Sequence, residues 1–409
     1  MTINQQVVSP RVSRQLSQRS VFEVLLQKGP ISRADLSKVT GLSKQTTSEV
    51  IDAFEQQGLV RPMGRTSGNV GRTAVLYELS PDGGYCLGVD LGGTKVTAAI
   101  ADISSKVLSE ATESTDPRGG VAVLDQIARL AGRLARDVGA HPSRIRSIVI
   151  GTPGVVDVRS GAIDLAPNIA HLGELDVVGA ISEKLGRPVA VENDVNLGLL
   201  GEIWHGCAQN VADVAFIALG TGIGLGIYAN GRLVRGENGA AGEIGYFPIG
   251  GDPWRAEVRE QGCLEYEAGA IGIVRRYNQA GGSEVDGVLP IFERMKRGEV
   301  LAEKIIGETA RLIAQAVSIV AVTIDPKLVV LGGSIGARPE FAQRVSEQSS
   351  LLGPRPVEIR PSALGNRASV VGALAVALNR FHEDLFGIAE FPGTFALPAP
   401  KAETERMRG

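Results

Sequence analysis

Two stretches of this 409-residue chain repeat one supersecondary pattern, and that repetition limits the fold more than any other feature. YCLGVDLGGTKVTAAIADISSKVLS, residues 85 to 109, reads as an apolar strand, a glycine turn, a second strand and a third. VAFIALGTGIGLGIYANGRLVR, residues 214 to 235, reads the same way, with Asn230-Gly231 as its second turn. One such hairpin is a weak signal, because glycine turns join strands everywhere. Two copies about 130 residues apart predict two similar lobes with a nucleotide between their glycine turns.

The first turn offers Asp90, Gly92, Gly93, Thr94 and Lys95, and the second offers Gly220, Thr221, Gly222 and Gly224. A third loop, Gly332-Gly333, follows the strand LVV after a long apolar helix. Glycines let backbone N–H groups approach phosphate oxygens, and Asp90 can hold a hydrated magnesium. No Walker motif is present.

Length allows two or three domains, each with its own core. Hydrophobic residues at 44% and charged residues at 21% are ordinary for a soluble globular protein, so the 52 glycines stand out as turn formers. Cys86, Cys207 and Cys263 are too few and too scattered for a disulfide framework or a CxxC metal cluster, which fits a reducing cytoplasm. The first twenty residues lack a signal peptide's apolar core, and the apolar run LIAQAVSIVAVTI at 312 to 324 reads as a buried helix. No membrane partner is expected. Residues 1 to 80 carry ten Lys or Arg against six Asp or Glu, while the remainder is acidic. That asymmetry points to nucleic acid at one end only.

In the basic end, RQLSQRSVFEVLLQKGPISRADLSKVTGLSKQTTSEVIDAFEQQGLV from Arg14 shows three short runs of helical periodicity. Gly29-Pro30 stops the first, Ser32 caps the second, and Thr40-Gly41-Leu42-Ser43 ends the second and caps the third. A glycine in that turn suits a helix-turn-helix, whose chain reverses with positive φ. The third helix is expected to present Ser43, Lys44, Gln45, Thr46, Thr47 and Glu49 to base edges. Strands at 59 to 62 and 74 to 79 would then form a wing carrying Arg65 and Arg72 toward phosphates or a minor groove. A helical protein-interaction module is the alternative, and the basic charge and polar recognition helix favour DNA.

Between the two repeats lies VAVENDVNLGLLGE, in which a strand ending in Glu192-Asn193-Asp194 would place a carboxylate at the cleft as a general base. By itself that triplet could equally be a capped helix start. The winged-helix wording, GTPGVVD at 151 to 157, APN at 166 to 168, the END triplet and GAAGEIG at 239 to 245 together resemble the ROK family, named for repressor, open reading frame and kinase. The likeness runs from residue 14 to about 380, and the chain is similar to repressors of the xylose and N-acetylglucosamine type. It implies an α/β fold: a two-lobed actin-like ATPase (ribonuclease H-like) body with an N-terminal winged helix-turn-helix domain. It also implies sugar contacts from Gly154, Asn168, Asn193, Asp194, Glu243, Tyr246 and Glu265, with Asp194 as catalytic base if kinase activity remains.

The chain departs from the family in one place. The family pattern E-x-G-H followed by C-x-C-G-x-x-G-C-x-E binds one zinc through its His and three Cys, but here those positions hold Tyr246, Ala256, Val258 and Cys263. One thiolate cannot replace a closed site of four N and S ligands, so zinc is expected to be absent. In relatives that His also contacts the sugar, and Tyr246 and Trp254 would repack the loop here.

The expected organisation is a flexible arm at 1 to 13, a DNA-binding domain at 14 to 80, a sugar-kinase-like ligand-binding body at 81 to 395 and a flexible tail at 396 to 409. The expected function is a cytoplasmic, sugar-responsive DNA-binding regulator, a repressor of carbohydrate genes, whose partners are operator DNA and a small sugar effector. It would act as a homodimer or a dimer of dimers, since paired recognition helices read paired half-sites. ATP and Mg are the cofactors such a cleft would take, neither being required. The rival reading is an ATP-dependent sugar kinase with an appended DNA-binding domain.

Overall fold

The computed structural model describes residues 10–65, 74–156, 163–164, 169–173, 175–353 and 356–386. The basic end folds as α1 (Pro10–Lys28), β1 (Ile31–Ser32), α2 (Arg33–Thr40), α3 (Lys44–Gln56), β2 (Val60–Arg65) and β3 (Val75–Leu79), with the strands in the order β1-β3-β2. Ser32 starts α2 by accepting the Asp35 N–H, and Gly41 ends it at φ +72°, a left-handed conformation that costs a glycine nothing. Ser43 starts α3 by accepting the Thr46 N–H. Helix α1 begins at Pro10, inside the segment expected to be an arm, and proline's fixed φ suits a first helical turn.

Thr47 corrects the expected recognition surface. It is 0% exposed, shares the inner face of α3 with Val50, Ile51 and Phe54, and donates its hydroxyl to the Ser43 carbonyl. Residues 47, 50, 51 and 54 keep the i, i+3, i+4, i+7 spacing of a buried stripe, so the period decides its place over its polarity.

The first lobe contains β4 (Tyr85–Leu91), β5 (Lys95–Asp102), β6 (Val107–Ser114), α4 (Gly120–Asp137) and β7 (Ile145–Thr152). A small hairpin of β8 (Val155–Val156) and β9 (Ile163–Asp164) follows, then α5 (Val177–Leu185) and β10 (Ala190–Asn193). Helix α6 (Asp194–His205) crosses to the second lobe, which opens with β11 (Val214–Leu219), β12 (Ile223–Ala229) and β13 (Arg232–Val234). Helices α7 (Ala256–Gln261), α8 (Cys263–Ala268), α9 (Ala270–Gln279), α10 (Val288–Lys296) and α11 (Val300–Ile324) come next. The chain then adds β14 (Leu328–Gly332), α12 (Gly333–Gly336), α13 (Pro339–Ser349), β15 (Glu358–Pro361) and α14 (Ala368–Phe386).

The repeat read in the sequence is a repeat of topology. One sheet runs β6-β5-β4-β7-β10 and the other β13-β12-β11-β14-β15. In each, the first three strands are antiparallel and the last two join in parallel. Helix α11 is long and apolar enough to cross a bilayer by length and composition, but it buries Ile305, Ile306, Ile313 and Val317 in the second lobe.

Helices α6 and α14 meet backbone to backbone between the lobes. A β-carbon on Gly372 would stand 1.8 Å from the Leu197 carbonyl oxygen, and one on Gly201 would stand 2.2 Å from that of Ala368. Only two glycines allow such an approach. Beyond the crossing, the buried Glu202 carboxylate accepts the N–H groups of Cys207 at 2.8 Å and Leu364 at 3.0 Å, tying the end of α6 to the turn before α14.

The far end of α14 enters the winged helix. Phe22 of α1 packs edge-on against Phe386 and His382, with ring centroids 5.5 and 4.9 Å away, and Phe54 of α3 lies 6.2 Å from Phe386. One continuous buried cluster therefore runs from Val21, Phe22 and Phe54 through Leu374 and Phe381 to Phe216 and Val330 of the second lobe. The winged helix and the two-lobed body share a core.

Candidate functional site

The END triplet is both of the things the sequence allowed. Asn193 caps α6, its Oδ1 accepting the N–H groups of Val195 at 2.9 Å and Asn196 at 3.0 Å, and its Nδ2 donates to the Gly154 carbonyl at 2.9 Å. The cap holds Asp194 at the start of the helix, where Ser369 of α14 donates its hydroxyl to the Asp194 carbonyl at 3.0 Å. Burial, the charge of Asp90 and that of Glu243 push the Asp194 carboxyl up to about 7. Burial pushes Asp90 up to about 6, against the opposing charge of Lys95. Burial also raises Glu243 and Glu265, although the Ile223 N–H, donating to Glu265 Oε2 at 2.8 Å, acts the other way. Asp194 lies within the field of Asp90 and Glu243, and Glu265 within that of Glu243, so four carboxyl groups lie near one another, and Glu243 is the one that lines the cavity beside them.

Asn193, Val195, Asn196, Gly224, Leu225, Gly239, Ala241, Gly242 and Glu243 line the cavity there. Gly224 lines this cavity from within β12, where a β-carbon on it would meet Val195 Cγ2 at 2.9 Å. Asn168 lies outside the described residues. Tyr246 stands in a short 3-10 turn, Ile244–Tyr246, and is 47% exposed.

The degenerate metal loop is packed, and its residues do not fit zinc. Val258 is buried on α7, and the buried Cys263 thiol donates to the Ile249 carbonyl at 3.3 Å. Among the described residues no group of three or more His, Cys, Asp or Glu is arranged to hold a metal ion. Protein purified without chelator is expected to contain substoichiometric zinc, and one zinc per chain in elemental analysis would overturn this assignment.

Of the nucleotide-type loops, the second and third adjoin. Gly333 turns at φ +77° beside Leu219, and a β-carbon on Gly220 would stand 3.3 Å from Ser334 Oγ. Gly222 rests on Glu265, with 2.9 Å between its β-carbon position and Oε2, so this turn reaches the carboxylate cluster. Across the cleft, Gly93 and Thr94 are exposed between β4 and β5, and Thr115 donates its hydroxyl to the Gly92 carbonyl. Gly332, by contrast, packs on the Phe216 ring.

Sequence reasoning missed Arg235. Its Nε donates to Glu192 Oε2 at 2.7 Å across the lobes, while Glu192 Oε1 accepts from the Asn193 N–H and from Asn196 Nδ2, each at 3.0 Å. Nothing local marks this pair, because the residues are 43 positions apart.

On the winged helix, Lys44, Gln45 and Glu49 are exposed. Ser43 and Thr46 are turned to each other, their hydroxyl oxygens 2.8 Å apart, and so hold the helix start. Arg65 closes β2 without a described side chain, and Arg72 lies outside the described residues.

Residues 86–380 match the ROK family model. The chain belongs to the ROK family. A MarR family match over residues 12–72 covers the winged helix. The ROK chain is 26% identical to the xylose repressor of Caldicellulosiruptor bescii over 386 residues, covering 90% of this chain and 96% of that one. A crystal structure of a ROK family transcriptional regulator, homologous to the E. coli MLC protein, superposes with a TM-score of 0.71 at 25% identity, over 92% of this chain and 98% of that one. The ROK hexokinase of Thermus thermophilus, 31% identical with a TM-score of 0.61, covers only 72% of this chain and 97% of its own. Repressors match the chain with its winged helix, and the hexokinase matches it without.

Proposed function

We propose that this ROK protein is a sugar-responsive, DNA-binding transcription regulator, a repressor of carbohydrate uptake or catabolism genes. The observation that carries the reading is helix α14. One end holds Asp194 through Ser369, and the other packs His382 and Phe386 against the core of the winged helix. A sugar that binds one lobe arrangement better than another therefore shifts the seating of the DNA-binding module, which is all that coupling requires. Full-length likeness to proteins named as repressors supports the same reading.

Two copies would present two recognition helices to paired half-sites, so a homodimer or dimer of dimers is the expected DNA-binding form. Fluorescence anisotropy with DNA from upstream of its own gene is expected to show sequence-preferring, salt-sensitive binding. One member of a panel of pentoses, hexoses and amino sugars should shift that affinity by about 5-fold or more. Binding indifferent to both DNA sequence and sugar would sink the proposal. Residual sugar phosphorylation is a second reading, because Asp194 keeps a base on the cleft beside the glycine turns.

A further inference from the structure

The outward face of α3 is acidic where a DNA-reading helix would be expected to be basic. With Thr47, Val50, Ile51 and Phe54 turned into the core, the opposite stripe consists of Gln45, Glu49, Asp52 and Gln56. It carries two carboxylates and no cation.

The two carboxylates are treated differently. Asp52 is neutralised from α2, with Arg33 donating to its Oδ1 at 2.6 Å and also lying 3.8 Å from Glu55. Glu49 has no ion-pair partner among the described residues, and instead accepts one hydrogen bond, from Gln45 Nε2 at 3.0 Å. Gln45 sits one turn nearer the helix start, beside Lys44, where a recognition helix enters the groove.

An unneutralised carboxylate near two phosphate backbones is repelled unless it meets a donor. In the major groove, guanine and thymine turn acceptors toward it, adenine sets its N6 amino donor beside its own N7 acceptor, and cytosine alone offers an amino donor, N4, with no acceptor of its own on that edge. From this geometry we infer that Glu49, steadied by Gln45, selects a cytosine in each operator half-site, accepting a hydrogen bond from cytosine N4. The same charge works against guanine and thymine, and against adenine through N7, so selection comes from repulsion as much as attraction. Gln45, whose amide matches the N6 and N7 edge of adenine, reads the neighbouring pair. The inference rests on the DNA-binding reading above.

Selection from a randomised DNA pool with the full-length protein, alongside Glu49→Ala and Glu49→Gln, tests it. The wild type should enrich sites with one dominant C·G pair per half-site. Glu49→Ala should lose that preference by about tenfold or more while the other positions keep theirs, and Glu49→Gln should move it toward adenine. Position 49 is exposed, so unchanged thermal unfolding of both variants is the expected control. A motif that is identical in wild type and Glu49→Ala would overturn the inference and leave DNA binding intact. A wild type that enriches no motif would overturn the DNA-binding reading itself, and this inference with it.

Discussion

Gly372→Ala is expected to destabilise the protein by about 3 kcal/mol, lowering the unfolding temperature by roughly 3–5 °C. The new methyl group would fall 1.8 Å from the Leu197 carbonyl oxygen and 3.0 Å from the Gly201 nitrogen. Both belong to the α6 backbone, so no side chain can swing aside, and the helices must separate. Separation opens the buried cluster around Leu197, Val371 and Leu374 at the junction of both lobes and the winged helix. Gly307→Ala gives the contrast. Gly307 lies inside α11, with nothing within 4 Å of its β-carbon position, and alanine there should stabilise by about 0.5–1 kcal/mol through helix propensity alone. Thermal unfolding of the two variants in parallel is the measurement. Equal melting temperatures would show that the crossing is looser than described.

Asp194→Asn should raise stability at alkaline pH while removing ligand response. Folding lifts the Asp194 carboxyl from an ordinary 3.8 to about 7, chiefly by burial and then through the charges of Asp90 and Glu243. Between these values the folded protein holds a proton that the unfolded chain has released. Its stabilising contribution is therefore complete below pH 4 and is lost as pH rises through 7. Asparagine stays neutral throughout. The variant should match the wild type near pH 4 and exceed it by about 1–2 kcal/mol at pH 8, a figure reduced because the carboxyl still faces the cleft. Thermal scans at both pH values check the sign, and a less stable variant at pH 8 would mean the carboxylate is favourably solvated or paired. The same variant should lose thermal stabilisation by any sugar that stabilises the wild type. Sugar-dependent ADP release that disappears with the substitution would promote the kinase reading.

Much of this site could be read in the chain. Asn193 and Asp194 stand where a strand-ending triplet should put them, and Glu243 and Glu265 share their cleft. Gly41 and Ser43 make the turn and cap they were read to make. Thr47 went inward because helical periodicity outweighs a hydroxyl that can be satisfied by its own helix. Gly224 sits within β12 and against Val195, a place its turn-like sequence did not announce, because a glycine within a strand marks a close approach as readily as a phosphate turn.

Local pattern determined the repeated three-strand unit that opens each lobe, its glycine turns, the three-helix module and the replacement of the family's zinc ligands, because each is written in neighbouring residues whose period, turn chemistry or spacing survives without the rest of the chain. Tertiary structure alone decided that Gly372 meets Leu197, that Arg235 pairs with Glu192, and that Phe22 and Phe54 close on Phe386. Those contacts join segments separated by tens to hundreds of residues. Their partners are chosen by which apolar faces remain to be buried once every local element has formed, and no single stretch of sequence carries that information.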